Sequence, residues 1–159
     1  IECLSRIRNE LQDSYSFWTF GKKRPTELPE WISFFEFPSN QKLIELYNET
    51  AIFMVTSDYE GWGLPGSEAM ACGACLLSTD TGGVHAYAAN DETAVICPRG
   101  DGDSLTANLL SLAKDNDRRV RLATAGHDHI SQYTWNNSSD MLIRCINEHS
   151  SKFMGQERL

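Results

Sequence analysis

Apolar residues at Ile1, Leu4, Ile7 and Leu11 recur every three to four positions, a spacing that predicts a helix at the head of the chain. The aromatic run "SYSFWTFG", stopped by Gly21, predicts a strand. Two prolines in "KKRPTELPE" mark a surface turn, and "WISFFEF" then alternates as a second strand. Ser39 ahead of "NQKLIELYNET" has the chemistry of an N-cap, with Leu43, Ile44, Leu46 and Tyr47 expected to turn inward. Next, "AIFMVTS" is a continuous apolar run of strand length, the pattern of a parallel sheet covered on both faces. "ACLLSTD" is another buried strand, "GVHAYA" a short helix, and "TAVICP" a third apolar run closed by Pro98. From Asp101 the period becomes helical, with Leu105, Leu109 and Leu112 on one face. Two further helical segments follow at about 117–133 and 136–152, with "YTW" as the turn between them.

Strands separated by helices of modest length predict a doubly wound, Rossmann-like α/β domain, because parallel neighbours need a crossover connection. The expectation is one domain over residues 1–159, ending in the 136–152 helix. A complete domain of this class opens on a central strand, whereas this chain opens on a helix. That difference predicts a fragment whose first strand lies upstream of Ile1.

Composition narrows the function. A net charge of −8 argues against a nucleic-acid groove, which needs a concentrated basic face. The basic run Lys22-Lys23-Arg24 reads as a solvated loop. Five cysteines at irregular spacings make no disulfide framework, and the C-x-x-C of Cys72 and Cys75 has no second pair to complete a zinc site. Both thiols read as packing residues in a reducing, cytoplasmic compartment. No apolar run approaches the roughly 20 residues that span a bilayer, and no signal peptide opens the chain.

The informative window is "SDYEGWGLPGSEAMACG", which contains a literal G-x-G-x-x-G at Gly61, Gly63 and Gly66. A dinucleotide-binding oxidoreductase would use those glycines for pyrophosphate and Asp80 for a ribose. Four polar residues, however, separate the strand from the first glycine, Pro65 interrupts the loop, and Gly73 stops the helix early. Two carboxylates, Glu60 and Glu68, also flank the amides that would receive the pyrophosphate. The alternative makes those glutamates the point. Glu60 stands just past the carboxyl end of a strand, the glycines turn the amides of residues 62 to 66 outward at a helix start, and Glu68 stands one turn into the helix, where it can accept from a ribose diol.

The string from Glu60 to Glu68, continuing into Ala69-Met70-Ala71-Cys72-Gly73, resembles the E-x7-E motif of the retaining group-1 glycosyltransferases of GT-B fold. That family's usual wording is close to "EGFGLPxLEAMACGxPVV"; here Trp62 replaces Phe and Ser67 the usual apolar residue. Similarity extends upstream through "LIELYNETAIFMVTS" and downstream through "LLSTDTGGVHAYAANDETAVICPRGDGDSLTANLLSL". The resemblance implies the C-terminal, nucleotide-sugar-binding half of a two-domain enzyme. Glu68 would hold the ribose, the amides of Gly61, Trp62, Gly63 and Leu64 would meet the donor's phosphates and sugar, and Glu60 would be the catalytic carboxylate beside the reacting carbon. No metal or cofactor is implied beyond the nucleoside diphosphate sugar, which is the donor substrate. A glycan or lipid-linked acceptor would bind through an N-terminal domain, with the whole protein in the cytoplasm or at the cytosolic face of a membrane. The family's basic Arg and Lys would fall before residue 1, so this piece alone is expected to bind donor poorly and to be inactive. A non-catalytic nucleotide-binding module is a further alternative.

Other signals carry less. His127 and His129 are two apart on a helix and point to different faces. Arg99-Gly100-Asp101 lies where a strand meets a helix cap, the sequons at Asn136 and Asn137 have no meaning in the cytosol, and Gly82-Gly83 reads either as a tight turn or as a close approach to ligand.

Overall fold

The computed structural model describes residues 2–11 and 14–154. Helix α1 (Glu2–Leu11) leads into strands β1 (Phe17–Gly21) and β2 (Ile32–Glu36), which pair in parallel. The loop between them is tied by Arg24, whose guanidinium donates to the carbonyls of Leu28, Pro29 and Ile32. Arg24 is thus a loop clamp, although Lys22 and Lys23 beside it are exposed.

Helix α2 (Asn40–Asn48) begins where Ser39 caps it, the Ser39 Oγ accepting from the Lys42 amide. Leu46 and Tyr47 are buried and Leu43 half-buried, but Ile44 is exposed. The expectation that Ile44 turns inward is corrected: at 100° per residue it sits on the flank of the face defined by Leu43, Leu46 and Tyr47.

A second parallel sheet has the order β3 (Ile52–Val55), β4 (Cys75–Thr79), β5 (Val95–Cys97). Helix α3 (Leu64–Ala71) connects β3 to β4, and a single 3-10 turn (Gly83–Ala86) lies between β4 and β5. The helices α4 (Gly102–Lys114), α5 (Asn116–Ile130) and α6 (Trp135–Met154) follow. Asp101 caps α4 through the Ser104 amide, and Asp115 caps α5 through that of Arg118.

Strand β4 is buried along its whole length and divides the core by its period of two. Cys75 and Leu77 pack with Ile7, Leu105, Leu109, Leu112 and Leu122; Leu76 packs with Met70, Val84, Tyr87 and Ile130. Apolar packing on both faces of a parallel strand makes the fold doubly wound α/β.

Strand β3 departs from expectation. Its four residues are only half-buried, because Ile52, Phe53 and Met54 line a cavity of about 620 Å³ shared with Phe17 and Trp18 of β1, Leu4 and Ile7 of α1, and Leu105 and Leu109 of α4. Strands β1 and β3 are not hydrogen-bonded to each other, so each presents one free edge. Helix α6 also stands apart from the core, with Trp135, Met141, Leu142, Ile143 and Ile146 exposed. No helix among the described residues is long and apolar enough to cross a membrane.

Candidate functional site

Glu60 lies five residues beyond the end of β3 and is fixed through its backbone rather than its side chain. Its amide donates to the Thr81 carbonyl (3.1 Å) and its carbonyl accepts from the Gly83 amide (3.2 Å), forming a parallel bridge to Gly82. A Cβ at Gly83 would come within 2.5 Å of the carbonyl oxygens of both Glu60 and Gly61. At Gly82-Gly83 the chain makes the tight turn, with Gly82 leading the 3-10 turn and Gly83 packed against the backbone of Glu60 and Gly61. Two strand ends are joined there, and the carboxylate is carried at the joint.

From Glu60 the chain bends through Gly61, Trp62 and Gly63. Gly63 adopts φ +89° and ψ 60°, the left-handed region that glycine tolerates without steric cost, and serves as the N-cap of α3 without a side-chain cap. Among the described residues, the amides of Gly61, Trp62, Gly63 and Leu64 donate to no protein acceptor. Pro65 has no N–H, and the amides of Gly66 and Ser67 fold back onto the Gly63 carbonyl (3.0 and 3.4 Å). The donor set expected at 62–66 is consequently the run 61–64. Gly61 is exposed, and a Cβ there would touch nothing within 4 Å, so the bend opens to water. Uncommitted amides at a helix start present partial positive charge to an anion.

Trp62 contributes only its amide to this opening. Its ring is tilted against Tyr87 (5.2 Å between centroids) and meets the edge of Tyr133 (5.6 Å), while its indole Nε1 donates to Ser67 Oγ (3.0 Å). The two departures from the family wording, Trp62 and Ser67, are thus partners: the half-buried indole N–H needs an acceptor and the serine provides it. Leu64 is 63% exposed.

Two buried tyrosines support the bend from below. The Tyr87 hydroxyl donates to the Gly63 carbonyl (3.4 Å), and a Cβ on Gly66 would meet that hydroxyl at 2.6 Å, so Gly66 is glycine to admit Tyr87. Burial, and then the charge of Glu60, push the Tyr87 hydroxyl up to about 12. On the other side, the Tyr47 hydroxyl donates to Glu68 Oε2 (3.3 Å). Burial first and the Glu68 carboxylate second raise its pKa well above the usual tyrosine range. Both Glu60 and Glu68 are exposed.

The dinucleotide alternative is not favoured. Asp80, its required acid, accepts from the Gly82 amide (3.0 Å) and pairs with His85 Nε2 (3.1 Å). The Gly82 hydrogen bond, helped by His85 and Arg99, holds its carboxyl below the ordinary carboxylate range. Beside it, Arg99 donates to the Asp80 carbonyl and lies 3.7 Å over the ring of Tyr59. Cys75 is buried and Cys72 half-buried, both as free thiols. His127 Nδ1 lies 3.5 Å from Asp128 Oδ1, and no group of three metal-ligating side chains occurs among the described residues.

The parallel α/β sheet thus carries, beyond its strand ends, a glycine bend with free amides bracketed by two exposed glutamates, the place where open α/β sheets hold their ligands. Residues 22–129 match the family described as "Glycosyl transferases group 1", and the chain belongs to it. It is 30% identical over 127 residues to the D-inositol 3-phosphate glycosyltransferase of Stackebrandtia nassauensis, covering 79% of this chain and 28% of that protein. The chain thus spans less than a third of the length of the curated relatives it matches. Among solved structures, the C-terminal domain of a glycosyl transferase group 1 family protein from Francisella tularensis is similar in fold (TM-score 0.59, 21% identity, 84% of this chain and 63% of that one). HepE of Anabaena, solved in complex with UDP and glucose, is similar at TM-score 0.69 and 13% identity, covering 92% of this chain and 52% of that one.

Proposed function

We propose that this domain binds a nucleoside diphosphate sugar at the Glu60–Glu68 opening and serves a glycosyltransferase that retains the anomeric configuration. The observation that carries the reading is the run of four uncommitted amides at Gly61–Leu64 between two exposed carboxylates. The amides receive the donor's phosphate oxygens without a metal, and Glu68 accepts from the ribose hydroxyls. Glu60, fixed by its two backbone bonds to Thr81 and Gly83, stands where the sugar's reacting carbon would lie. There it orients the sugar hydroxyls and favours the positive charge that develops as the bond to the diphosphate breaks. The glycan or lipid-linked acceptor is assigned to polypeptide outside this chain. That HepE was solved with UDP and glucose supports the choice of ligand class.

Calorimetric titration with UDP, GDP and ADP tests the reading. One of the three should bind, and Glu68→Ala should weaken it tenfold or more, since two hydrogen bonds to a charged acceptor are removed. Equal binding by both proteins, or no binding to the complete enzyme, overturns it.

A further inference from the structure

Glu68 is an exposed side chain on an eight-residue helix, and an exposed glutamate ordinarily samples several rotamers. Its one hydrogen-bond partner among the described residues is the hydroxyl of Tyr47, contributed by α2 from 21 residues upstream. Tyr47 is 2% exposed. Its ring is clamped edge-on by Phe53 (5.4 Å, 83°) and Phe20 (6.4 Å, 79°) and tilted against Trp18 (6.1 Å). Trp18 is itself anchored by its indole N–H on Thr50 Oγ1 (3.0 Å). A ring held on three sides has one orientation, and its hydroxyl emerges at one point, against Glu68 Oε2. Because burial and the adjacent carboxylate keep that hydroxyl protonated, it acts toward Glu68 only as a donor.

We propose that Tyr47 is a positioning residue for Glu68: it occupies one acceptor site on Oε2 and holds the carboxylate in the rotamer whose remaining sites face the ribose diol. This rests on the reading that Glu68 binds ribose. The 3.3 Å separation is long for O–H···O, so the contact restrains the carboxylate without consuming its remaining acceptor capacity. A tyrosine serving packing alone would need only its ring. The hydroxyl is the part that reaches the site, and it is the part the test removes.

Tyr47→Phe keeps the ring. The probes are UDP, GDP and ADP with their 2′,3′-dideoxy counterparts, titrated calorimetrically. The unaltered protein should prefer the ribo form of its nucleotide tenfold or more, and Glu68→Ala should abolish that preference. Tyr47→Phe should weaken ribo binding roughly three- to tenfold while leaving dideoxy binding unchanged. The ratio of the two affinities is read only on folded molecules, so a lower folded fraction in the variant does not obscure it. If Tyr47→Phe keeps the full ribo preference while Glu68→Ala loses it, Tyr47 is a packing residue and the inference falls alone. If the unaltered protein shows no ribo preference, the role of Glu68 falls, and this inference with it.

Discussion

Gly83→Ala is the sharpest perturbation the fold offers. Gly83 is not among the residues of positive φ, so alanine meets no conformational objection there. What it meets is backbone: its Cβ would lie 2.5 Å from the carbonyl oxygens of Glu60 and Gly61, against about 3.3 Å for a close carbon–oxygen contact. Neither oxygen can rotate away as a side chain would, so the two strand ends must separate by about 0.8 Å. That movement strains the two hydrogen bonds joining Glu60 to Thr81 and Gly83. Overpacking together with weakening of those bonds places the loss at roughly 2–5 kcal/mol, or a fall in Tm of roughly 5–15 °C for a chain of this size. Glu60 rides on the displaced segment, so where the fold survives the sugar contact should suffer more than the phosphate contact. A shift of about 1 Å at a reacting group costs on the order of 100-fold in rate. Urea unfolding gives the first quantity, and turnover compared with affinity for whichever of UDP, GDP and ADP binds the complete enzyme gives the second. A variant with an unchanged urea midpoint and unchanged turnover would refute the claim that this contact sets the position of Glu60.

Two further outcomes are expected. Gly126→Ala should destabilise by roughly 1–3 kcal/mol in urea unfolding, although alanine favours helix by about 1 kcal/mol, because its Cβ would lie 2.7 Å from the Thr93 carbonyl oxygen and 3.1 Å from Met70 Cε; a more stable variant would contradict this. Burial pushes the Cys75 thiol from its ordinary 9.0 up to about 11, with Arg119 and Arg118 opposing only in part. The unfolded thiol loses its proton near pH 9 and the folded one near 11, so this contribution to stability is complete below pH 9 and is lost as pH rises from 9 through 11; a urea midpoint that stays flat across that interval would contradict it.

What the chain discloses on its own is whatever depends on neighbours in sequence. Ser39 and Asp101 were legible as caps because the acceptor and the amide it meets are three residues apart. The glycine bend and its two glutamates were legible because one short string contains them all. Tyr47 and Tyr87, which support that bend, were not: each lies more than 20 residues from the group it touches, and a tyrosine in an apolar pattern reads as core. Gly66 and Gly83 were visible as glycines, but their neighbours, a tyrosine hydroxyl and two carbonyls, are set by tertiary packing. The half-burial of β3 was hidden for a related reason, since "IFMV" reads the same whether both flanks are paired or one borders a cavity.

That cavity bears on how the 159-residue chain behaves in a tube. Two unsatisfied ladders, one on β1 and one on β3, border an oily groove, and any extended apolar segment from a neighbouring molecule could dock by the same geometry that builds a sheet. Concentration thus works against purity of state, and dilute handling or a solubilising fusion suits this domain better than crowding it for crystals.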